Sequence, residues 1–178
     1  LSVLWPKPVL ADARTRFLGR APLVLEVLAG ALGIFAFAVI VYAGLEGSQT
    51  ATANIAPTAI FVLVWVGIPF ASVLFGDVFA VLSPWRAIGR GVGWAAARVG
   101  GGLPAPIRYP DRLGRWPAAA MILAFAWIEL VWSGREAPSS LAIAALIYAA
   151  VMLVGMSCFG AEKWCRNADG FGVAFSLF

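Results

Sequence analysis

Glu26, Asn54, Asp77, Ser83, Arg86 and Glu129 are the side chains of this sequence best placed to do chemistry, because each lies within or against a long apolar run. A charged group at the centre of a bilayer costs about 2.5–3.5 kcal/mol on insertion scales, so a carboxylate kept there invites a functional reading. Glu26 falls about one turn into the first apolar run, and Glu129 about one turn from the end of the third. Each has two readings: a partner at the membrane boundary (for Glu26, Arg20 or a residue of a neighbouring helix), or a substrate or proton site. They sit near opposite membrane faces, too far apart to form a carboxylate pair.

Asp77, Ser83, Trp85 and Arg86 form the densest polar group. One reading is a pocket in which Arg86 holds an anionic group such as a phosphate. The other is a turn, with Asp77 capping a helix and Arg86 on lipid headgroups. Asn54, just before Pro57, is either a helix cap or a pocket residue. No Gly-x-Ser-x-Gly, phosphate-binding loop, zinc or haem motif occurs, and the chain has no histidine. Catalytic residues therefore stay unassigned, and no metal or cofactor is expected. Cys158 and Cys165 stand seven apart, roughly 10 Å along a helix, which is too far for a disulfide. They are read as free thiols.

The elements that must position these residues follow from composition. Hydrophobic residues make up 62% of the 178 and charged residues 12%, with mean hydropathy +0.89. Soluble domains are roughly 45–50% apolar and about 25% charged. The expectation is an all-α, polytopic transmembrane helix bundle forming one membrane domain. Four spans are predicted at 22–42, 56–75, 117–132 and 141–158, each near the ~20 residues that cross a ~30 Å hydrocarbon layer. Pro69, inside the second, predicts a kink. Ser139 or Ser140 is placed to cap the fourth.

Arg86, Arg90 and Arg98 fall near one face of a segment at 77–99 that also carries Trp85 and Trp94. That pattern suits an amphipathic helix in the interface, with the arginines on anionic lipid headgroups. Twelve of the thirteen lysines and arginines fall on one side of the predicted topology. The positive-inside rule then makes the N-terminal segment and the 76–116 loop cytoplasmic, in a bacterial inner membrane. The same clustering between apolar runs argues against nucleic-acid binding. The expected partners are the lipid bilayer and other membrane subunits. The chain opens without methionine and closes inside an apolar run, so it is expected to be a fragment of a longer protein.

Several runs carry a resemblance. Tyr42-Ala-Gly-Leu-Glu-Gly-Ser-Gln, Asn54-Ile-Ala-Pro-Thr, Trp65-Val-Gly-Ile-Pro-Phe-Ala-Ser-Val-Leu-Phe-Gly-Asp-Val-Phe, Ser83-Pro-Trp-Arg-Ala-Ile-Gly-Arg and Arg108-Tyr-Pro-Asp-Arg-Leu-Gly-Arg-Trp-Pro resemble the fenitrothion hydrolase-like membrane proteins of bacteria, common in actinobacteria. Members of that family look longer, with a further N-terminal helix preceded by a motif containing His and Gly. Where they carry Asn-Pro-Trp, this chain has Ser83-Pro84-Trp85. The resemblance implies a membrane-embedded hydrolase of organophosphate esters, or a subunit of one. The residues alone leave two other classes open, a transporter or permease-like component and a structural subunit of a larger complex.

Overall fold

The computed structural model describes residues 22–100 and 105–176, and among them the regular structure is helical throughout. We number the helices α1 (Leu23–Glu46), α2 (Ile55–Phe75), α3 (Val78–Leu82), α4 (Pro84–Val99), α5 (Trp116–Leu130), α6 (Pro138–Phe159), α7 (Ala161–Ala168) and α8 (Gly170–Phe175). Four segments are long and apolar enough to cross a membrane: α1, α2, α5 with the short turn before it (Asp111–Leu130), and α6. The all-α membrane bundle read from composition is the fold observed. Leu28, Phe35, Phe70, Leu74, Leu123 and Val154 point outward. In water such a surface would drive aggregation; in lipid it meets its own kind.

α2 departs from regular geometry ahead of Pro69. Ala59–Gly67 is wound as a π-helix, and the Ile68 N–H reaches back five residues to the Leu63 carbonyl. A proline lacks the N–H that would bond four residues back. Here the helix carries a widened stretch immediately before Pro69. The widened segment contains Trp65, whose ring lies 4.9 Å from that of Phe125 on α5.

Asn54 ties the start of α2 to the end of α1. Its Oδ1 accepts from the Ala56 N–H at 2.8 Å, while Nδ2 donates to the Ala43 carbonyl at 2.6 Å and the Ser48 carbonyl at 2.7 Å. The residue is buried. It is therefore the cap, and its second function is to clamp the loop rather than to line a pocket. Asn54→Ala leaves these buried groups unpaired, so it is expected to cost about 1–3 kcal/mol, seen as a lower Tm in detergent.

The start of α6 corrects one expectation. Neither Ser139 nor Ser140 caps it: the cap position is Ala137, with Pro138 opening the first turn. Proline at that position needs no partner for a missing N–H, so the helix begins earlier than the serines would set it. The Ser139 N–H instead donates to Gln49 Oε1 at 3.2 Å, across from the loop after α1.

Close approaches at glycine set the register between helices. A Cβ on Gly44 would lie 2.6 Å from the Ala142 Cβ and 2.7 Å from the Pro138 carbonyl, so α1 and α6 touch backbone to backbone there. The two run antiparallel, which brings Gly33 of α1 and Ala149 of α6, eleven residues further along each, to one level near the middle of both helices. At Gly33, α1 meets the Leu82 carbonyl; at Gly30 it meets Ala87; at Glu26 it meets Arg90. α4 therefore starts near mid-helix and runs antiparallel to α1 toward its Leu23 end. The segment expected at the interface is two helices. The first turns of α4 pack along α1, and the later turns carry exposed Trp94 and Arg98, with the Arg98 guanidinium 4.7 Å from the Trp94 ring centre.

One order of elements occurs twice. α1 and α2 lead through Gly76 (φ 88°) into short α3, a break at Ser83, and α4; α5 and α6 lead through Gly160 (φ 83°) into short α7, a break at Asp169, and α8. The left-handed backbone at both turns favours glycine. In each half the residue at the break caps the next helix with its own side-chain oxygen.

Candidate functional site

The two breaks come to the same level of the bundle. Ser83, fully buried, accepts the Arg86 N–H on Oγ at 3.5 Å and sits where Gly33 admits the α3–α4 corner. Asp169, only 1% exposed, accepts the Tyr148 hydroxyl at 2.7 Å and the Gly172 N–H at 3.2 Å, both on Oδ1. Tyr148 is the eleventh residue of the 22-residue α6, so it lies about 15 Å from either end of that helix. A carboxyl group is thus held near the middle of the bundle, at a helix discontinuity.

Aromatic rings link the breaks. Trp85, in the first turn of α4, lies 5.8 Å from Tyr148 and 5.2 Å edge-on from Phe37 of α1. Trp85 shares a buried cluster with Met152, Met156, Trp164, Cys165 and Ala168. Gly155 makes room for Trp164, because any side chain there would enter the indole ring. That close approach seats α7 against α6 and carries Asp169 up to Tyr148.

The electrostatics follow from burial. Asp169 lies between α7 and α8, outside the four spans, and burial pushes its carboxyl above the usual range. The Tyr148 hydroxyl, the Gly172 N–H and the positive charge of Arg86 pull the other way without cancelling it. Burial, together with the neighbouring Asp169 charge, pushes the Cys165 thiol up to about 12 against a smaller opposing effect of Arg86. At neutral pH Cys165 is a thiol and not a nucleophilic thiolate. Cys158, on α6, and Cys165, on α7, are both free.

Of the six residues singled out in the sequence, the structure brings two to this site, Ser83 and Arg86. Asp77 is exposed and caps α3 through the Ala80 N–H at 3.0 Å. Glu26 pairs with Arg90 at 3.5 Å; Arg20, the other partner considered, lies outside the described residues. Glu129 is half-buried near the end of α5 and makes no ion pair among the described residues. Asn54 belongs to the opposite end of α1. Comparison with family models, curated proteins and solved structures finds no match.

The residues that sequence reasoning passed over are Asp169 and Tyr148. A usable signal was there: Asp169-Gly170 opens an apolar run, as Ser83-Pro84 does, each following a glycine that ends a span. Among the described residues no cluster of three or more His, Cys, Asp or Glu side chains forms. The arrangement offers one protonatable group, one hydroxyl positioning it and one nearby guanidinium.

Proposed function

We propose that this chain is a permease-type component of a membrane transport protein, with Asp169 as the protonatable group of a site near the bilayer midplane. The observation that carries the reading is the buried Asp169 carboxyl at a helix break, hydrogen-bonded to Tyr148 midway along a spanning helix. Intramembrane ionisable groups that face a bundle interior mark proton and substrate pathways. Broken helices at corresponding positions of two repeats are where secondary transporters bind substrate and coupling ion. The Ser83 and Asp169 breaks occupy corresponding places in the repeated order of elements, which supports the reading.

In the same reading the membrane is a bacterial inner membrane, with the Leu23 end of α1 on the cytoplasmic face and the 76–116 segment entering the bundle from that face as far as Ser83, as the arginine and lysine distribution favours. Arg98, exposed beyond the end of α1, then contacts anionic lipid headgroups, with Arg90 at the boundary. The test is solute uptake into proteoliposomes under an imposed proton gradient, across a panel of small organic anions, amines and neutral solutes. Uptake that depends on the gradient and is lost in Asp169→Asn supports the proposal. Cleavage of an organophosphate ester by the purified protein, abolished by Arg86→Ala, would replace it with the hydrolase that the family resemblance implies. Stoichiometric co-purification with a membrane subunit, with neither activity, would leave a structural component.

A further inference from the structure

A groove of about 630 Å³ opens on the flank between α1 and α6, in the half of the bundle that ends at Glu46. We propose that it seats one acyl chain of a phospholipid with a primary-amine headgroup, with the phosphate on Tyr42 and the ammonium on Glu46. The site is separate from Asp169 and does not rest on the transport reading. Phe37 lies at the inner end, its ring 5.2 Å edge-on from Trp85, and Glu46 stands at the outer end. At about 1.5 Å per residue the run from Phe37 to Glu46 covers about 14 Å. That is close to half of a ~30 Å hydrocarbon layer, so the groove is one leaflet deep. Val41 and Leu45 of α1 and Leu146 of α6 line the length between, all apolar. α1 and α6 touch at Gly44 and Ala142, and Tyr42 is 71% exposed, so the open side of the groove faces lipid.

The mouth is polar where the walls are not. Tyr42 and Glu46 both line the groove, and as residues i and i+4 of α1 they share one helix face, with Cβ atoms about 5–6 Å apart. Glu46 makes no ion pair among the described residues. An ethanolamine-type headgroup carries an anionic phosphate and an ammonium joined by a two-carbon link. The Tyr42 hydroxyl donates to a phosphate oxygen while the Glu46 carboxylate accepts from the ammonium, and both bonds are charge-assisted. A headgroup that is only anionic sets its charge against Glu46 with nothing to pair it. A trimethylated ammonium keeps the charge but has no N–H to donate. A helix of a second copy would match the walls and not the mouth. The described charges at this end of the bundle are Glu46, Glu129, Glu136 and Arg135, so a second copy brings more carboxylate than cation.

The experiment is native mass spectrometry of the purified chain, with phosphatidylethanolamine, phosphatidylcholine or phosphatidylglycerol of identical acyl chains added singly. One phosphatidylethanolamine per chain is expected, held at least tenfold more tightly than either of the others. Glu46→Gln should remove that preference, and Tyr42→Phe should weaken phosphatidylethanolamine binding several-fold. Ala38→Trp fills the groove from an exposed position on its lining and should abolish one-to-one binding. Ala36→Trp, exposed outside the groove, should leave binding unchanged. Phosphatidylglycerol bound as tightly as phosphatidylethanolamine, or a preference that survives Glu46→Gln, would overturn the headgroup assignment. Lipid binding untouched by Ala38→Trp, or a lipid-free dimer that this substitution splits, would overturn the groove as a lipid site.

Discussion

Asp169→Asn is expected to flatten the dependence of stability on pH while leaving the fold intact. The carboxyl is buried and its folded-state pKa is raised above the ordinary 3.8. Folding therefore favours the protonated form, and the stability this contributes is fully present below the unfolded value. It is lost as pH rises through the folded value. Wild-type Tm in detergent should fall across that window, upward from about pH 4. Asparagine matches the neutral acid in shape and still accepts from the Tyr148 hydroxyl and the Gly172 N–H. The variant should show a Tm independent of pH there, and at neutral pH equal to wild type or higher. Asp169→Ala is expected to be worse than asparagine at every pH, because it leaves the Tyr148 hydroxyl without its acceptor.

Gly33→Val should be the most damaging single substitution in α1. A Cβ there would run into the Leu82 carbonyl, and its next neighbours are Leu82 C at 2.9 Å and Pro84 N at 3.5 Å. All three are backbone atoms, so no side-chain rotation relieves the clash and the α3–α4 corner must move away from α1. Overpacking costs about 1–3 kcal/mol where side chains can adjust, and this site belongs at or above the top of that range. The displaced corner carries Ser83, Trp85 and Arg86 with it, so under the proposed function gradient-driven uptake should fall together with Tm. Gly91→Ala on α4 is the control: nothing lies within 4 Å of its added methyl. Its expected effect is neutral, or stabilising by up to about 1 kcal/mol through helix propensity.

The parts of this fold that were legible in the sequence are those set by solvent. Long apolar runs need lipid and a closed backbone ladder, so the four spans could be read from residue type alone. Capping was legible for a similar reason, since Asn54 and Asp77 each precede a helix whose first N–H groups need an acceptor. The α6 start was misread because Pro138 and Gln49 do the work assigned to Ser139 or Ser140. What brings the Ser83 corner and Asp169 to one level of the bundle is tertiary: the absence of a Cβ at Gly33 and Gly155, and the turn at Gly160 that folds α7 back against α6. No periodicity encodes those approaches. Asp169 itself was hidden in a tail that reads as the start of another helix, although its partner Tyr148 lies in the middle of a span.

Asp169 is a carboxyl group buried in the interior of the bundle with its pKa raised above the usual range, and the proposed function requires it to exchange its proton. Infrared difference spectroscopy of the reconstituted protein, stepped in pH, tests it most directly. A carboxylic-acid carbonyl band that shifts in heavy water, titrates above the ordinary carboxylate range, and vanishes in Asp169→Asn is the predicted result. A spectrum with no such band, or with one that survives the substitution unchanged, would contradict the account.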